Sequence, residues 1–239
     1  MAFLLPMVAR LMDHVVKPAA LILGLSPLVS PAEARTDRPA SFVDVGQAVP
    51  GVILDVRYFG ADNFVGARVD GYEAPRCFLT RPAAEALAQV AEDARRQGYR
   101  LKLFDCYRPA RAVAHFARWA ADLSDESTKA EYYPDMPKSE LFKEGYIAAR
   151  SGHSRGSTLD LTLVQAASGA EVDMGTPFDL FSPRSWPGSN AVTAAQKANR
   201  ARLADLMKRH GFMPFAKEWW HFTLKDEPFP STYFDFPIR

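Results

Sequence analysis

The feature that most restricts how this chain can fold is an alternating segment at residues 157–164, Ser-Thr-Leu-Asp-Leu-Thr-Leu-Val. Side chains alternate between the two faces of a β-strand, so the three leucines would share one face, and Asp160 and Thr162 the other. An apolar face is covered by a core, whereas a carboxylate removed from bulk water needs a partner charge or a metal ion. The segment therefore predicts a strand with a core on one side and Asp160 as a candidate functional group on the other.

The composition excludes several classes of protein. With 48% hydrophobic residues the chain is too apolar to be disordered, and 2 cysteines are too few for a small disulfide-built fold. A formal net charge of +1 lacks the basic excess of proteins that gather phosphates, so we expect no nucleic-acid partner. A soluble globular protein remains.

Residues 1–34 have the layout of a secretory signal peptide. Basic residues precede a short apolar run at 18–29, which ends in the small-x-small site Ala32-Glu33-Ala34. The run is shorter than the roughly 20 residues that a membrane-spanning helix needs. A buried N-terminal helix is the alternative. We expect an exported, periplasmic protein with a mature domain at 35–239 and no stable membrane insertion after the signal is removed.

Cys77 and Cys106 leave two possibilities open. In an oxidising compartment they could form a disulfide, and otherwise they are two buried free thiols. Their separation fits no zinc–cysteine pattern, so neither cysteine is expected to bind a metal.

Periodicity and capping residues predict helices that alternate with strands. The predicted helices lie at 80–97, 109–123, 139–150 and 193–210, and the predicted strands at 99–104, 157–164 and 218–224. Residues 124–138 and 165–190 are predicted to be irregular. This order indicates an α+β fold, with a mainly antiparallel central sheet flanked by helices.

Two histidines, His153 and His221, lie in sequence segments that suggest a metal site. His153 lies in Ser-Gly-His-Ser-Arg-Gly-Ser-Thr-Leu-Asp, seven residues before Asp160, and His221 lies in Glu-Trp-Trp-His-Phe. Two imidazoles and one carboxylate, with a fourth position left for water, are typical of a catalytic zinc site. Gly156 would allow the chain to turn, so that His153 and Asp160 converge. His115 fits an ordinary imidazole on a helix, and so does His210.

Two further side chains are candidates for catalysis, each with an ordinary alternative. Glu218 precedes His221 by three residues, so the two converge only if the strand contains a bulge or a turn. It would then be a carboxylate placed for proton transfer, and otherwise a surface glutamate. Arg108 lies just past the end of a predicted strand and directly before Pro109. There a guanidinium could bind a carboxylate or a developing oxyanion, or simply face solvent.

Seven segments of the chain match the motifs of one known family, in the family's order. They are Asp55-Val-Arg-Tyr58, Ala61-Asp-Asn-Phe64, Val69-Asp-Gly-Tyr72, Asp105-Cys-Tyr-Arg-Pro109, the segment 151–163, Met174-Gly-Thr-Pro-Phe-Asp179 and Glu218-Trp-Trp-His-Phe222. In these segments the chain resembles the D-alanyl-D-alanine dipeptidases of vancomycin resistance and D-alanine recycling, which are zinc enzymes of the D,D-peptidase/hedgehog-like fold.

The resemblance implies roles for seven residues. They are the zinc ligands His153, Asp160 and His221, the general base Glu218, Arg108 as the group that stabilises the transition state, and Ser151 and Asp179 as contacts to the dipeptide. Thr158 stands where the family pattern has a smaller alanine, and Gly152 replaces a larger side chain. These two departures affect packing and the substrate pocket, not the metal ligands.

The expected function is therefore hydrolysis of the small dipeptide D-Ala-D-Ala by a catalytic domain that holds one zinc ion per chain. Two alternatives remain at this point. One is a D,D- or L,D-carboxypeptidase or endopeptidase that acts on the stem peptides of cell-wall peptidoglycan. The other is a zinc-stabilised binding module without catalysis, although the presence of both Glu218 and Arg108 argues against it.

Overall fold

The structure is a computed structural model that describes residue 2 and residues 37–239. The signal peptide predicted at 1–34 lies outside the described residues and stays a prediction. Within the described residues, no helix is both long enough and apolar enough to cross a membrane.

Strands and helices alternate along the described part of the chain. The strands are β1 (Phe42–Asp44), β2 (Ile53–Leu54), β3 (Phe78–Thr80), β4 (Tyr99–Asp105), β5 (Thr158–Gln165), β6 (Phe212–Phe215) and β7 (Glu218–Leu224). The α-helices are α1 (Val45–Ala48), α2 (Arg81–Arg96), α3 (Ala110–Ala121), α4 (Lys129–Tyr132) and α5 (Ala194–Arg209).

Five of the strands form one sheet in the order β2-β4-β5-β7-β6, and β1 pairs with β3 in a separate ribbon. Strand β2 runs parallel to β4, whereas the other pairs in the large sheet are antiparallel. Helix α2 contacts β4, and α5 contacts β6 and β7. The predicted α+β fold with a mainly antiparallel sheet is confirmed.

The central strand β5 has the two faces that its sequence predicts. Leu159, Leu161 and Leu163 are fully buried in the hydrophobic core. Asp160 and Thr162 are also buried, so the second face is covered as well and is not open to solvent. A carboxylate in this position has lost most of its hydration and requires compensation from the protein or from an ion.

The ends of the long helices follow the predicted signals, whereas the short helix α4 lies in the segment 124–138 that is predicted to be irregular. Helix α5 starts at a capping box, in which the Thr193 hydroxyl accepts from the Gln196 backbone N–H and the Gln196 side chain accepts from the Thr193 N–H. The helix predicted at 139–150 is wrong. Only a short 3-10 turn, Lys138–Glu140, forms there, and the backbone N–H groups of residues 146 and 147 then fold back onto the Leu141 carbonyl.

Replacing Gly156 by alanine is expected to destabilise the fold by about 2–5 kcal/mol. Gly156 adopts a left-handed φ of +82°, and an added Cβ would overlap with the ring of Phe42. Urea unfolding of the metal-free protein measures the loss. Gly98→Ala is the matched control, because Gly98 has the same φ of +82° but an added Cβ there would meet no atom within 4 Å. Equal losses in the two variants would contradict the role of the Phe42 contact.

Candidate metal centre

The register of the sheet brings two acidic residues and one histidine into a single row. Asp160 in β5 pairs with Asp105 of β4 on one side and with His221 of β7 on the other. A register shift in β4, between Leu103 and Asp105, places Asp105 in this row. Directly paired residues of antiparallel strands project to the same face, so the three side chains lie together on the face opposite the leucines.

His153 reaches the same point from a 3-10 turn, Gly152–Arg155, that comes just before β5. The turn begins at Ser151, whose hydroxyl oxygen accepts a hydrogen bond of 3.2 Å from the His153 backbone N–H. His153 Nδ1 lies 2.7 Å from the Cys106 carbonyl oxygen, and a carbonyl can only accept, so Nδ1 carries the proton. The lone pair of Nε2 is then free for a metal, as in other metal-binding histidines.

The facing atoms of His153, Asp160 and His221 have the spacing of a metal site. His153 Nε2 lies 3.3 Å from His221 Nδ1 and 3.3 Å from Asp160 Oδ2, and His221 Nδ1 lies 3.1 Å from Asp160 Oδ1. Tetrahedral zinc with bonds of about 2.0–2.1 Å separates its ligand atoms by about 3.3 Å. Asp160 Oδ1 is buried and accepts no well-aligned hydrogen bond, and its close neighbour His221 Nδ1 is itself a candidate ligand. This oxygen and the donor set both fit a divalent cation at this point.

The electrostatics of the three residues also favour a cation. Burial by itself raises the pKa of Asp160, but the facing imidazoles of His153 and His221 outweigh it and hold the pKa well below its usual value. Burial lowers the pKa of His221, yet hydrogen bonds and negative charge from Asp160 and Glu218 raise it to about 9. Without a metal, a proton on His221 therefore supplies the positive charge that the carboxylates require.

Glu218 lies beside this centre. Its Oε2 atom is 3.3 Å from His221 Nδ1, and its side chain is 13% exposed, facing the same cavity. The irregularity that Glu218 and His221 need in order to converge is present, since the pairing of β6 with β7 shifts register between Pro214 and Phe215. A carboxylate at this place can exchange a proton with a molecule in the cavity.

Arg108 borders the centre on its other side. Its Nε atom donates to Asp105 Oδ2 at 2.8 Å, and its Nη2 atom lies 3.5 Å from Asp160 Oδ2. The guanidinium lies over the rings of Tyr58 and Phe116, 5.1 and 5.0 Å from their centroids. It is held against two carboxylates and two aromatic faces, so it is a fixed cation in the cavity wall and not a surface arginine.

A cavity of about 260 Å³ joins these groups. Asp179 and Ser151 line it together with the candidate ligands. Asp179 is buried and has a positive φ of 60°, and Tyr58 Oη donates to its Oδ2 at 2.8 Å. The cavity is smaller than the roughly 300–1,000 Å³ of sites for drug-sized ligands, so it fits a small molecule.

Three supporting residues were not assigned a function from the sequence. Asp105 positions Arg108, and Tyr72 donates to Asp105 Oδ1 at 2.6 Å. Tyr58 positions Asp179. All three lie in motifs that carry the family resemblance. The signal that could have identified Asp105 is an acidic residue at the end of an apolar strand, three residues before Arg108.

The other two histidines of the segment 37–239 and both cysteines lie outside the set of candidate ligands. His115 Nδ1 accepts from the Asp70 backbone N–H at 3.1 Å, and His210 Nε2 lies 2.9 Å from an oxygen of Asp93. Both are ordinary polar contacts, as expected. Cys77 and Cys106 form a disulfide, which decides between the two possibilities that the sequence left open.

Comparison with known proteins agrees with the family resemblance seen in the sequence. The peptidase family described as D-ala-D-ala dipeptidase matches residues 38–239. The chain is 47% identical to the D-alanyl-D-alanine dipeptidase of Streptomyces coelicolor over 197 residues, which are 82% of the chain and 98% of that protein. It is 44% identical to the enzyme of that name from Enterococcus faecium over 198 residues, 83% of the chain and 98% of the relative. For Escherichia coli K12 the identity is 32% over 182 residues, with 76% and 83% covered.

Proposed function

The chain belongs to the D-ala-D-ala dipeptidase family, and we propose that it hydrolyses free D-alanyl-D-alanine to two molecules of D-alanine, with zinc as its metal. The observation that supports this most is the meeting of three candidate ligand atoms, Glu218 and Arg108 at one small cavity. A binding module without catalysis has no need of a carboxylate and a guanidinium that face the same space.

His153, Asp160 and His221 would hold the zinc ion. When bound, zinc would polarise the scissile carbonyl and lower the pKa of a coordinated water toward neutrality. The Cys106 carbonyl keeps the His153 ring in the tautomer that binds metal. To bind the metal, His221 must lose the proton that its raised pKa favours, so metal and proton compete for it.

Glu218 is the general base in this proposal. It accepts a proton from the water that attacks the peptide carbonyl, and it then delivers this proton to the nitrogen as the C–N bond breaks. One carboxylate can serve both steps because the attacking oxygen and the leaving nitrogen are bonded to the same carbon when the C–N bond breaks. The position of Glu218 beside His221, with its side chain facing the cavity, supports this role.

Arg108 stabilises the negative charge that grows on the carbonyl oxygen. Asp105 and the two aromatic rings fix the guanidinium before substrate arrives, so little reorganisation is needed as the charge develops. Burial by itself lowers the pKa of the guanidinium, but the charges of Tyr58 and Asp105 outweigh it and raise that pKa further above its usual value, so the positive charge is retained.

Asp179 and Ser151 are the proposed contacts to the two ends of the dipeptide. The Asp179 carboxylate would bind the ammonium group, and the Ser151 hydroxyl would bind near the carboxylate end. Both residues line the cavity, and Tyr58 holds Asp179 in place. A small cavity with a buried anion at one end selects a free dipeptide, because a longer peptide has no ammonium group at that distance from the scissile bond.

The deciding experiment compares two substrates on the zinc-loaded protein. We expect release of D-alanine from D-Ala-D-Ala at a kcat/KM far above that for a pentapeptide ending in D-Ala-D-Ala. A preference for the pentapeptide would support a carboxypeptidase that acts on peptidoglycan stems. Stoichiometric zinc without hydrolysis of either peptide would support a binding module.

The KM for D-Ala-D-Ala is expected to fall as the pH rises through the pKa of Asp179. Burial is the largest effect and raises this pKa well above its usual value, and the negative charge of Asp160 raises it further. The hydrogen bond from Tyr58 and the charge of Arg108 lower it, but by less. Glu218 adds to the rise. The carboxyl group is therefore neutral at low pH and cannot pair with an ammonium group. KM measured from pH 5 upward tests this.

Asp179→Asn is the control for this pH dependence. It should raise KM at neutral pH by about 10- to 100-fold, the worth of one charged hydrogen bond, and remove the dependence. Ionisation of Asp179 favours binding of the substrate but disfavours the folded state. Because the pKa of Asp179 is higher in the folded than in the unfolded protein, the free energy of unfolding of the ligand-free enzyme falls as the pH rises from the usual aspartate pKa through the raised one. A KM in Asp179→Asn that still falls with pH would assign the titration to another group.

We also propose that the protein is exported to the periplasm. Two observations support this: the signal-like composition of residues 1–34, and a disulfide, which persists in oxidising compartments and is rare in the cytosol. Cell fractionation, with a cytosolic marker enzyme as control, tests the proposal. Recovery of the full-length chain in the cytosolic fraction with Cys77 and Cys106 as thiols would contradict it.

A further inference from the structure

The Cys77–Cys106 disulfide connects the two sheets at the edge of the metal centre. Cys77 comes directly before β3 of the small ribbon, and Cys106 comes directly after β4 of the large sheet. Both cysteines are buried, at 2% exposure. The crosslink therefore fixes the end of β4 at the point where the chain leaves the sheet and turns toward the cavity.

Cys106 also takes part in holding a candidate metal ligand. Its carbonyl oxygen accepts the 2.7 Å hydrogen bond from His153 Nδ1. This bond sets both the tautomer and the ring orientation of His153, which is otherwise carried on a turn of only four residues, Gly152–Arg155. Loss of the group that orients a metal-binding histidine in this way typically lowers metal affinity by about 10- to 100-fold.

The peptide plane of the Cys106 carbonyl is anchored to the strand next to Cys77. The N–H of that same plane belongs to Tyr107 and donates to the Phe78 carbonyl at 2.9 Å, and Phe78 directly follows Cys77. The preceding residue, Asp105, is fixed by Tyr72 and Arg108. The crosslink holds the two strands together where this backbone hydrogen bond forms, and it thereby supports the orientation of the Cys106 carbonyl.

We propose that the Cys77–Cys106 disulfide is a positioning element of the metal centre, holding the Cys106 carbonyl against His153 and thereby increasing the affinity for zinc. The inference rests on the proposed metal site, but not on the identity of the substrate. It differs from the general stabilisation that any disulfide provides, which acts through the unfolded chain and leaves the geometry of the folded site unchanged.

The test is a comparison of metal binding in two variants. Cys77→Ala with Cys106→Ala removes the crosslink but keeps the backbone carbonyl of residue 106. Leu206→Ala, which truncates a buried side chain of α5, serves as a control that loses stability away from the metal centre. Zinc affinity is measured by competition with a chromophoric chelator at a temperature where urea titration shows each protein to be folded. The visible absorption spectrum of the cobalt(II)-substituted protein reports ligand geometry.

We expect the double variant to bind zinc about 10- to 100-fold more weakly, with an altered cobalt spectrum, and Leu206→Ala to match the wild type in both measurements. Unchanged zinc affinity and cobalt spectrum in the folded double variant would overturn the inference. Equal losses in Leu206→Ala would also overturn it, because the effect would then follow stability alone.

If the double variant does not fold, the same measurements are made on wild-type protein whose disulfide has been reduced by a phosphine in the metal-free state. A reduced, folded protein that binds zinc as tightly as the oxidised one overturns the inference. Failure of wild type to hydrolyse D-Ala-D-Ala would count against the proposed substrate only. Failure of wild type to bind zinc at all would reject the metal site itself, and this inference with it.

Discussion

Glu218→Gln is expected to lower kcat for D-Ala-D-Ala hydrolysis by about 100- to 10,000-fold, the range for loss of a general acid–base group. Glutamine has the size of glutamate and retains an acceptor near His221, but it cannot take a proton from water. The zinc content should stay at one per chain, because the three candidate ligands are unchanged. The measurements are kcat and KM at saturating zinc, together with metal analysis of the purified variant.

The control for this prediction is Glu140→Gln. Glu140 pairs with Lys143 on the surface and takes no part in the cavity, so its replacement should leave kcat unchanged. Turnover of Glu218→Gln within a few fold of wild type would remove Glu218 from the mechanism. Loss of zinc together with turnover would instead indicate that Glu218 contributes to metal binding through His221.

Arg108→Lys is expected to lower kcat/KM by about 100- to 1,000-fold, the typical effect of losing one donor to a developing oxyanion. Lysine keeps the charge but lacks the planar fork of donors, so it cannot reproduce the fixed geometry of the guanidinium between Asp105 and Asp160. Alanine is a poorer test, because it would leave Asp105 buried without its cation and would destabilise the fold.

An analogue of the tetrahedral transition state separates the proposed role of Arg108 from simple substrate binding. If Arg108 acts on the charge that develops during reaction, the variant should lose more affinity for a phosphinate dipeptide analogue than for the substrate. Arg111→Lys, in an ion pair with Asp235, is the matched control on the outer surface. Equal weakening of substrate and analogue would assign Arg108 to ground-state binding.

The sequence predicts the fold where local pattern and long-range packing agree. The alternation around Asp160 suffices to predict β5, because any other conformation would place leucines and a carboxylate on the same face. Thr193 and Gln196 likewise predict the start of α5 from local hydrogen bonding alone. The segment 139–150 shows the limit: it has a helix-capping serine, but the turn back to the Leu141 carbonyl prevents the helix from continuing.

The candidate site could be predicted as a set of residues but not as an arrangement. Chemistry and family resemblance select His153, Asp160 and His221, whereas the row that contains Asp160 and His221 depends on strand register, which one sequence does not reveal. Asp105 enters that row through a register shift in β4. The disulfide was undecided for a similar reason, since 29 residues of separation allow two Cα atoms to lie either within disulfide range or far apart.

Two of the three candidate metal ligands and the proposed ammonium contact are held by different kinds of structure. Asp160 and His221 lie inside regular strands, whereas Asp179 lies in the irregular segment between β5 and α5. Natural or laboratory evolution could therefore reshape this segment to accept other D-amino acid dipeptides while the hydrolytic groups stay in place. The fold thus offers a starting point for designing hydrolases with new substrate preferences, in which libraries are confined to the stretch around Asp179.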